Sequence, residues 1–236
     1  KIALEKGGIM IAKTKTIPQW CLMAIIAVMI TSCGLLDSDS GIPGTEPIGG
    51  DPSTMGAPGN EFSLYASGFG VSDASATVTT QDNGVATLSV TGEVTDPMMQ
   101  TMLDMCPTFD MVDDGSNTYT GSIKFRITTK GIQDIYEDGS PFTLIHYDAK
   151  KGDSWKKEVH GRTITRKVTK VSKDDDYRYA FILIKVIAVE ESGNGIPGVS
   201  KVVYYGNHKF GLVGMEIVFE DGSTKSATVF SDNINE

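Results

Sequence analysis

Apolar and polar positions alternate through most of the chain from Glu61 onward. In GSIKFRITTKG, Ile123, Phe125 and Ile127 alternate with Lys124, Arg126 and Thr128, a period of two that turns one strand face toward a core. Two Thr- and Val-rich runs flank Asp82-Asn83-Gly84, which predicts a hairpin. Asp138-Gly139 and Asp221-Gly222 each separate two apolar runs and share an aromatic-Glu-Asp-Gly-Ser core. Asp-Gly suits a type I′ turn, with positive φ at both central residues. Further turns are predicted at His160-Gly161, Lys173 to Asp176 and Asn207-His208. Short strands between turns predict a mainly β, antiparallel domain over residues 61–236, a sandwich or a half-open barrel.

Two stretches depart from the alternation. Phe181 to Val189 is apolar on both faces apart from Lys185, so a strand covered on both sides is expected. TDPMMQTMLDMCP predicts one short amphipathic helix over about 97–106, with Asp96 as N-cap, Pro97 in the first turn and Pro107 as terminator. Met98, Met99, Met102, Leu103, Met105 and Cys106 fall on one face, opposite Gln100, Thr101 and Asp104. The helix is expected to lie over the Phe181–Val189 strand. Its Met-rich face reads as core, as the wall of a pocket for an apolar ligand, or as a Cu(I)-type thioether set.

The N-terminal pattern is of another kind. Lys13 and Lys15 precede an unbroken apolar run from Trp20 to Ile30, which ends in Thr31-Ser32-Cys33. A spanning helix needs about 20 apolar residues, and this run is shorter. Basic, apolar and small-residue segments in that order make a secretory signal over residues 10–32. The tetrad Ile30-Thr31-Ser32-Cys33 resembles the lipobox of bacterial lipoproteins. That resemblance implies cleavage before Cys33 and a diacylglycerol thioether on it, hence a lipid anchor in the cell envelope, at the outer membrane. Residues 1–9 contain Glu5-Lys6-Gly7-Gly8, which a ribosome-binding site can encode, so they are expected to be untranslated leader with Met10 as the start. Residues 33–60 are rich in Gly and Pro and are expected to form the lipidated Cys and a flexible tether.

Composition narrows the partners. The chain carries a net charge of −9, and removal of a leader holding four Lys and one Glu makes the remainder more acidic still. An acidic surface repels phosphate backbones, which argues against nucleic acid. Of the three Cys, Cys21 lies in the leader and Cys33 in the lipobox, so Cys106 stands alone without an internal disulfide.

Candidate chemistry is sparse. His146 and Asp148 sit two apart, but a metal site needs three or four ligands, so no metal site is assigned. Asp110, Asp113, Asp114 and Asn117 lack the spacing of a calcium loop. No nucleophile elbow, zinc-binding helix or phosphate loop is present, and no catalytic residue or cofactor is assigned beyond the acyl group at Cys33. Tyr147, Trp155, Tyr204 and Tyr205 are candidates for an exposed aromatic face that stacks on glycan.

The stretches LIHYDAKKGDSW, GRTITRKVTKVS and VVYYGNHKFGLVGMEIVFEDG resemble a group of Bacteroidota lipoproteins with a C-terminal β domain. The Gly-Leu-Val-x-x-Glu strand is more loosely similar to half-barrel periplasmic lipid carriers. The expectation is a non-enzymatic binding module for glycan, protein or an apolar ligand. The alternatives are a lipid carrier and a carboxylate-dependent hydrolase.

Overall fold

The computed structural model describes residues 44–105 and 109–232. The signal segment, Cys33 and Cys106 lie outside the described residues. The described residues fall within one compact unit.

The strands run β1 (Glu61–Ser67), β2 (Val71–Asp82), β3 (Val85–Val94), β4 (Phe109–Asp113), β5 (Thr118–Thr128), β6 (Gly131–Ile135), β7 (Pro141–His146), β8 (Ser154–Val159), β9 (Arg162–Val171), β10 (Tyr177–Tyr179), β11 (Ile182–Ile184), β12 (Ile187–Ser192), β13 (Val199–Asn207), β14 (Gly211–Phe219) and β15 (Thr224–Ser231). One helix, α1 (Pro97–Met105), follows β3. Thirteen strands form a single antiparallel sheet in the order β7-β6-β5-β3-β2-β1-β15-β14-β13-β12-β9-β8, with β4 beside β5. β10 and β11 form a separate hairpin. The sheet curls into a nearly closed barrel, so the barrel and not the sandwich is the architecture.

Turn chemistry explains the hairpins. Asn83 and Gly84 both take positive φ (49° and 81°), as do His160 and Gly161, which gives the tight turns these pairs predict. Asp138-Gly139 and Asp221-Gly222 differ, because among these four only the glycines have positive φ. Asp138 Oδ1 accepts from the Ser140 N–H at 2.8 Å, and Asp221 Oδ1 accepts from the Ser223 N–H at 2.8 Å. The two copies of the aromatic-Glu-Asp-Gly-Ser core therefore build the same longer turn, held by an Asp side chain rather than by a type I′ backbone.

The barrel closes across a seam without a strand ladder. β7 ends the sheet on one side and β8 on the other. The Trp155 indole of β8 donates to the Thr143 carbonyl of β7. Arg166 of β9 donates through Nη1 to the Phe142 and Thr143 carbonyls, both at 3.1 Å. Its Nε and Nη2 hold Glu191 of β12 at 2.8 and 2.7 Å, and Nη2 also holds Asp134 of β6. The guanidinium stacks 4.2 Å from the Phe142 ring centroid. Burial opposes its charge, but Asp134 and Glu191 outweigh burial and raise the pKa of Arg166 above its ordinary value.

The expected tether over 33–60 is too long. From Gly44, which lies at this seam, the chain packs onward against β6, β5 and β2. The Gly44 carbonyl accepts from the Thr143 N–H at 2.8 Å, and a Cβ on Gly44 would fall 2.7 Å from Trp155 Cβ. Gln133, fully buried, donates to the Glu46 carbonyl and accepts from the Ile48 N–H. Ile48 is buried, Pro52 bridges to Thr128 and Thr54–Gly56 forms a 3-10 turn. Gly and Pro suit backbone laid against a sheet as well as they suit a free linker, so composition alone misplaces this boundary.

The Phe181–Val189 run does not form one covered strand. Ile187 and Val189 enter the barrel core and Val186 packs with the β10–β11 hairpin, while Phe181, Ile182 and Leu183 project at 99%, 51% and 55% exposure. Nor does α1 cover this run. It lies against β3 and β4, and its Met99 and Met102 pack with Phe69, Val199 and Val202.

Candidate functional site

The inward registers of the β1–β5 region carry small residues among large ones. Phe62 of β1 stands opposite Ala76 of β2, which stands opposite Val90 of β3. One level up, Leu64 stands opposite Ala74. Gly92 lies nearby, and a Cβ there would meet Ala74 Cβ at 3.1 Å. Three small side chains at adjacent positions leave the barrel underfilled on this side. The space is a cavity of about 310 Å³. Phe62, Leu64, Leu88, Ile123, Phe125 and Met215 form its walls.

The helix supplies one wall as well. Asp96 caps α1, its Oδ1 accepting from the N–H groups of Met98 at 2.9 Å and Met99 at 3.2 Å. Its Oδ2 accepts from Lys225 Nζ at 2.6 Å. So fixed, the helix turns Met99, Met102 and Leu103 into the cavity. Met98 lies instead toward Gly198, and Met105 is 37% exposed. Of the five described residues of the apolar face, three thus line the cavity, and the helix buries no described residue fully. Cys106 lies outside the described residues.

No Asp, Glu, Lys, Arg or His lines the cavity among the described residues. An ionised group placed inside would lose its hydration without gaining a partner. The lining therefore favours hydrocarbon over an ionised group. Met thioethers add conformational freedom to its wall.

The Asp96 cap has a pH dependence. The hydrogen bond from Lys225 is the largest cause that holds its carboxyl below the ordinary 3.8, ahead of the opposing effect of burial and the two backbone N–H groups. A depressed folded pKa means the stabilisation is present above the unfolded value and is lost as pH falls through the folded one. Asp96→Ala is expected to lower stability by about 1 kcal/mol near neutral pH. That difference should vanish on acidification below pH 3.8. Urea unfolding of both proteins across this range checks it, and a constant difference would contradict it.

The four aromatic candidates do not form an exposed platform. Trp155 is buried in the seam. Tyr147 packs against the main core, and burial pushes its hydroxyl pKa up to about 12. Tyr204 lies between two core clusters with Arg166 5.7 Å from its ring centroid. Tyr205 sits on the outer side of the sheet but is covered by Tyr177, 4.9 Å between ring centroids. Their period-two positions were legible, but which face looks outward was not.

The remaining candidates are structural. Asp148 pairs with Lys130 at 2.9 Å, and burial is the largest cause lowering the pKa of half-buried His146. Asp113 and Asp114 accept from the backbone of their own turn. Asp134 and Glu191 converge, but both are bound to Arg166 inside the core. Among the described residues no three metal-ligating side chains cluster, and no helix is long and apolar enough to cross a membrane. The chain matches no family model, no curated protein and no solved structure. The residues that sequence reasoning missed are the strand walls of the cavity. Their available signal was the in-phase placement of Ala74, Ala76 and Gly92 among alternating large apolar residues.

Proposed function

We propose that this protein binds the hydrocarbon part of an apolar ligand inside its barrel, as a lipid-anchored module of the bacterial envelope held by an acylated Cys33. One observation carries the binding reading: a cavity of about 310 Å³ walled by hydrocarbon and thioether groups, with no charged side chain among the described lining residues. An occupant would take these apolar walls out of contact with water, at roughly 25 cal/mol per Å² buried. The chemical class is a neutral acyl, isoprenoid or comparable apolar group, with any charged headgroup kept outside.

The anchor reading rests on the lipobox-like tetrad ending in Cys33. Two acyl chains on one Cys suffice for stable attachment.

The test uses residues 39–236, which contain every strand of the sheet and all three core clusters. Titration with the fluorescent apolar probe 1-N-phenylnaphthylamine is expected to saturate at one site, and a neutral long-chain alcohol is expected to displace it. Organic extraction of the purified domain should yield a copurifying lipid. A linear, unsaturable response with an empty extract would end the proposal.

A further inference from the structure

The cavity has a gap in its wall. β1 pairs with β2 only from Glu61 to Leu64, while Tyr65, Ala66 and Ser67 have partners in β15 alone. The β2–β3 register shifts between Ser72 and Ser75, where Asp73 takes a φ of 49°. This bulge turns β2 away from β1. A second hollow fills the opening and shares Ser63, Leu64, Val71, Ala74 and Ser75 with the apolar cavity. The unpaired ends of these two strands thus lie between the apolar cavity and a more polar surface hollow.

The rim of the gap is connected to the most exposed apolar group described. Tyr65, 66% exposed, meets Phe230 edge-on at 5.3 Å. Phe230 stacks on Tyr179 of β10 at 5.0 Å, and Tyr179 lies 5.2 Å from Phe210. Tyr177 is seated on Tyr205, and Ile184 is buried. The hairpin is therefore held firmly against the barrel, with Ala180 at φ 50° forcing the turn. Its tip carries Phe181, Ile182 and Leu183 outward. Arg178 and Lys185, both exposed, flank that tip.

We propose that the face bearing Phe181, Leu183 and Tyr65 docks on a lipid bilayer and presents the β1–β2 gap to it, so that hydrocarbon passes between membrane and cavity. The proposal rests on the hydrocarbon-binding reading of the cavity. Two observations select a bilayer as the occupant. A rigid hairpin exposes consecutive large apolar side chains, as an interfacial wedge does. The same face opens onto space suited to acyl chains.

The test places Phe181→Trp in residues 39–236, where Trp155 is the remaining tryptophan and is buried. With mixed phosphatidylcholine and phosphatidylglycerol vesicles, the introduced indole is expected to shift its emission to the blue and to be quenched by brominated acyl chains. A tryptophan replacing exposed Lys124 on β5 should do neither. In the Phe181→Ser, Leu183→Ser double variant, vesicle-bound protein should fall roughly tenfold or more, as expected for removing two large apolar groups from the interface. That variant should take up 1-N-phenylnaphthylamine from solution normally but more slowly from preloaded vesicles. Aqueous, unquenched emission from the Phe181→Trp variant overturns the docking proposal, as does wild-type vesicle binding by the double variant. If the indole introduced by Phe181→Trp enters the bilayer while the wild type takes up no probe from solution, docking stands and the cavity reading fails.

Discussion

Arg166→Met is expected to lower the free energy of unfolding by about 3–5 kcal/mol, the loss seen when one partner of a buried ion cluster is removed. Methionine matches much of the volume of arginine, so packing is not the main loss. The loss lies with the groups left behind. Asp134 and Glu191 are buried, and the guanidinium is bonded to both of them and to the carbonyls of Phe142 and Thr143. Removing it strands two carboxylates and takes one donor from each of two carbonyls, of which Thr143 keeps its bond from Trp155, at the seam where β7 and β8 have no ladder to fall back on. Arg166→Lys should fall between, since it keeps the charge but not the planar fork that reaches four acceptors. Replacing Asp134 and Glu191 with leucine in the Arg166→Met background should restore much of the stability, because no buried charge then lacks a partner. Urea midpoints for the four proteins measure this. A wild-type midpoint for Arg166→Met would show that the seam does not depend on the cluster.

Ala76→Phe is expected to weaken ligand binding roughly a hundredfold without unfolding the protein. Ala76 lies between Phe62 and Val90 in the sheet register, and all three face the cavity. A phenyl group there occupies the space a ligand needs. Displacing four methylenes of bound hydrocarbon forfeits about 3 kcal/mol, roughly a hundredfold in affinity. The same phenyl fills a void, so the ligand-free domain should gain about 1–2 kcal/mol. Opposite signs on binding and stability separate a filled cavity from a damaged core. Probe titration and thermal unfolding of the same sample decide the matter. Unchanged probe affinity would place the ligand elsewhere.

Local features were read from the chain because local chemistry sets them. Asn83-Gly84 and His160-Gly161 turn as they do since these residues tolerate positive φ. Helix α1 starts where Asp96 can satisfy free N–H groups, whatever lies beneath it. Errors arose where the answer depends on a distant neighbour. Trp155 alternates like a surface aromatic, and only Thr143 and Gly44 across the seam make it an interior residue. Residues 44–60 have linker composition, yet distant partners such as Gln133, Thr143, Thr128 and Val78 hold them. An apolar run such as Phe181–Val189 reads the same whether the sheet covers it or leaves its first three residues in water.

The amino-acid sequence by itself determined an antiparallel β domain, the positions of its turns, one capped helix with a methionine face, and an acidic net charge. Each follows from side-chain periodicity of two or 3.6, from φ preference or from charge, which need no distant partner. Tertiary structure alone decided that the sheet curls into a barrel, that an Arg-centred cluster bridges its edges, and that Ala74, Ala76 and Gly92 come together to leave a cavity beside a gap. The reason is geometric. Inner and outer faces, and full and empty space, exist only once strands far apart in the chain have been placed side by side.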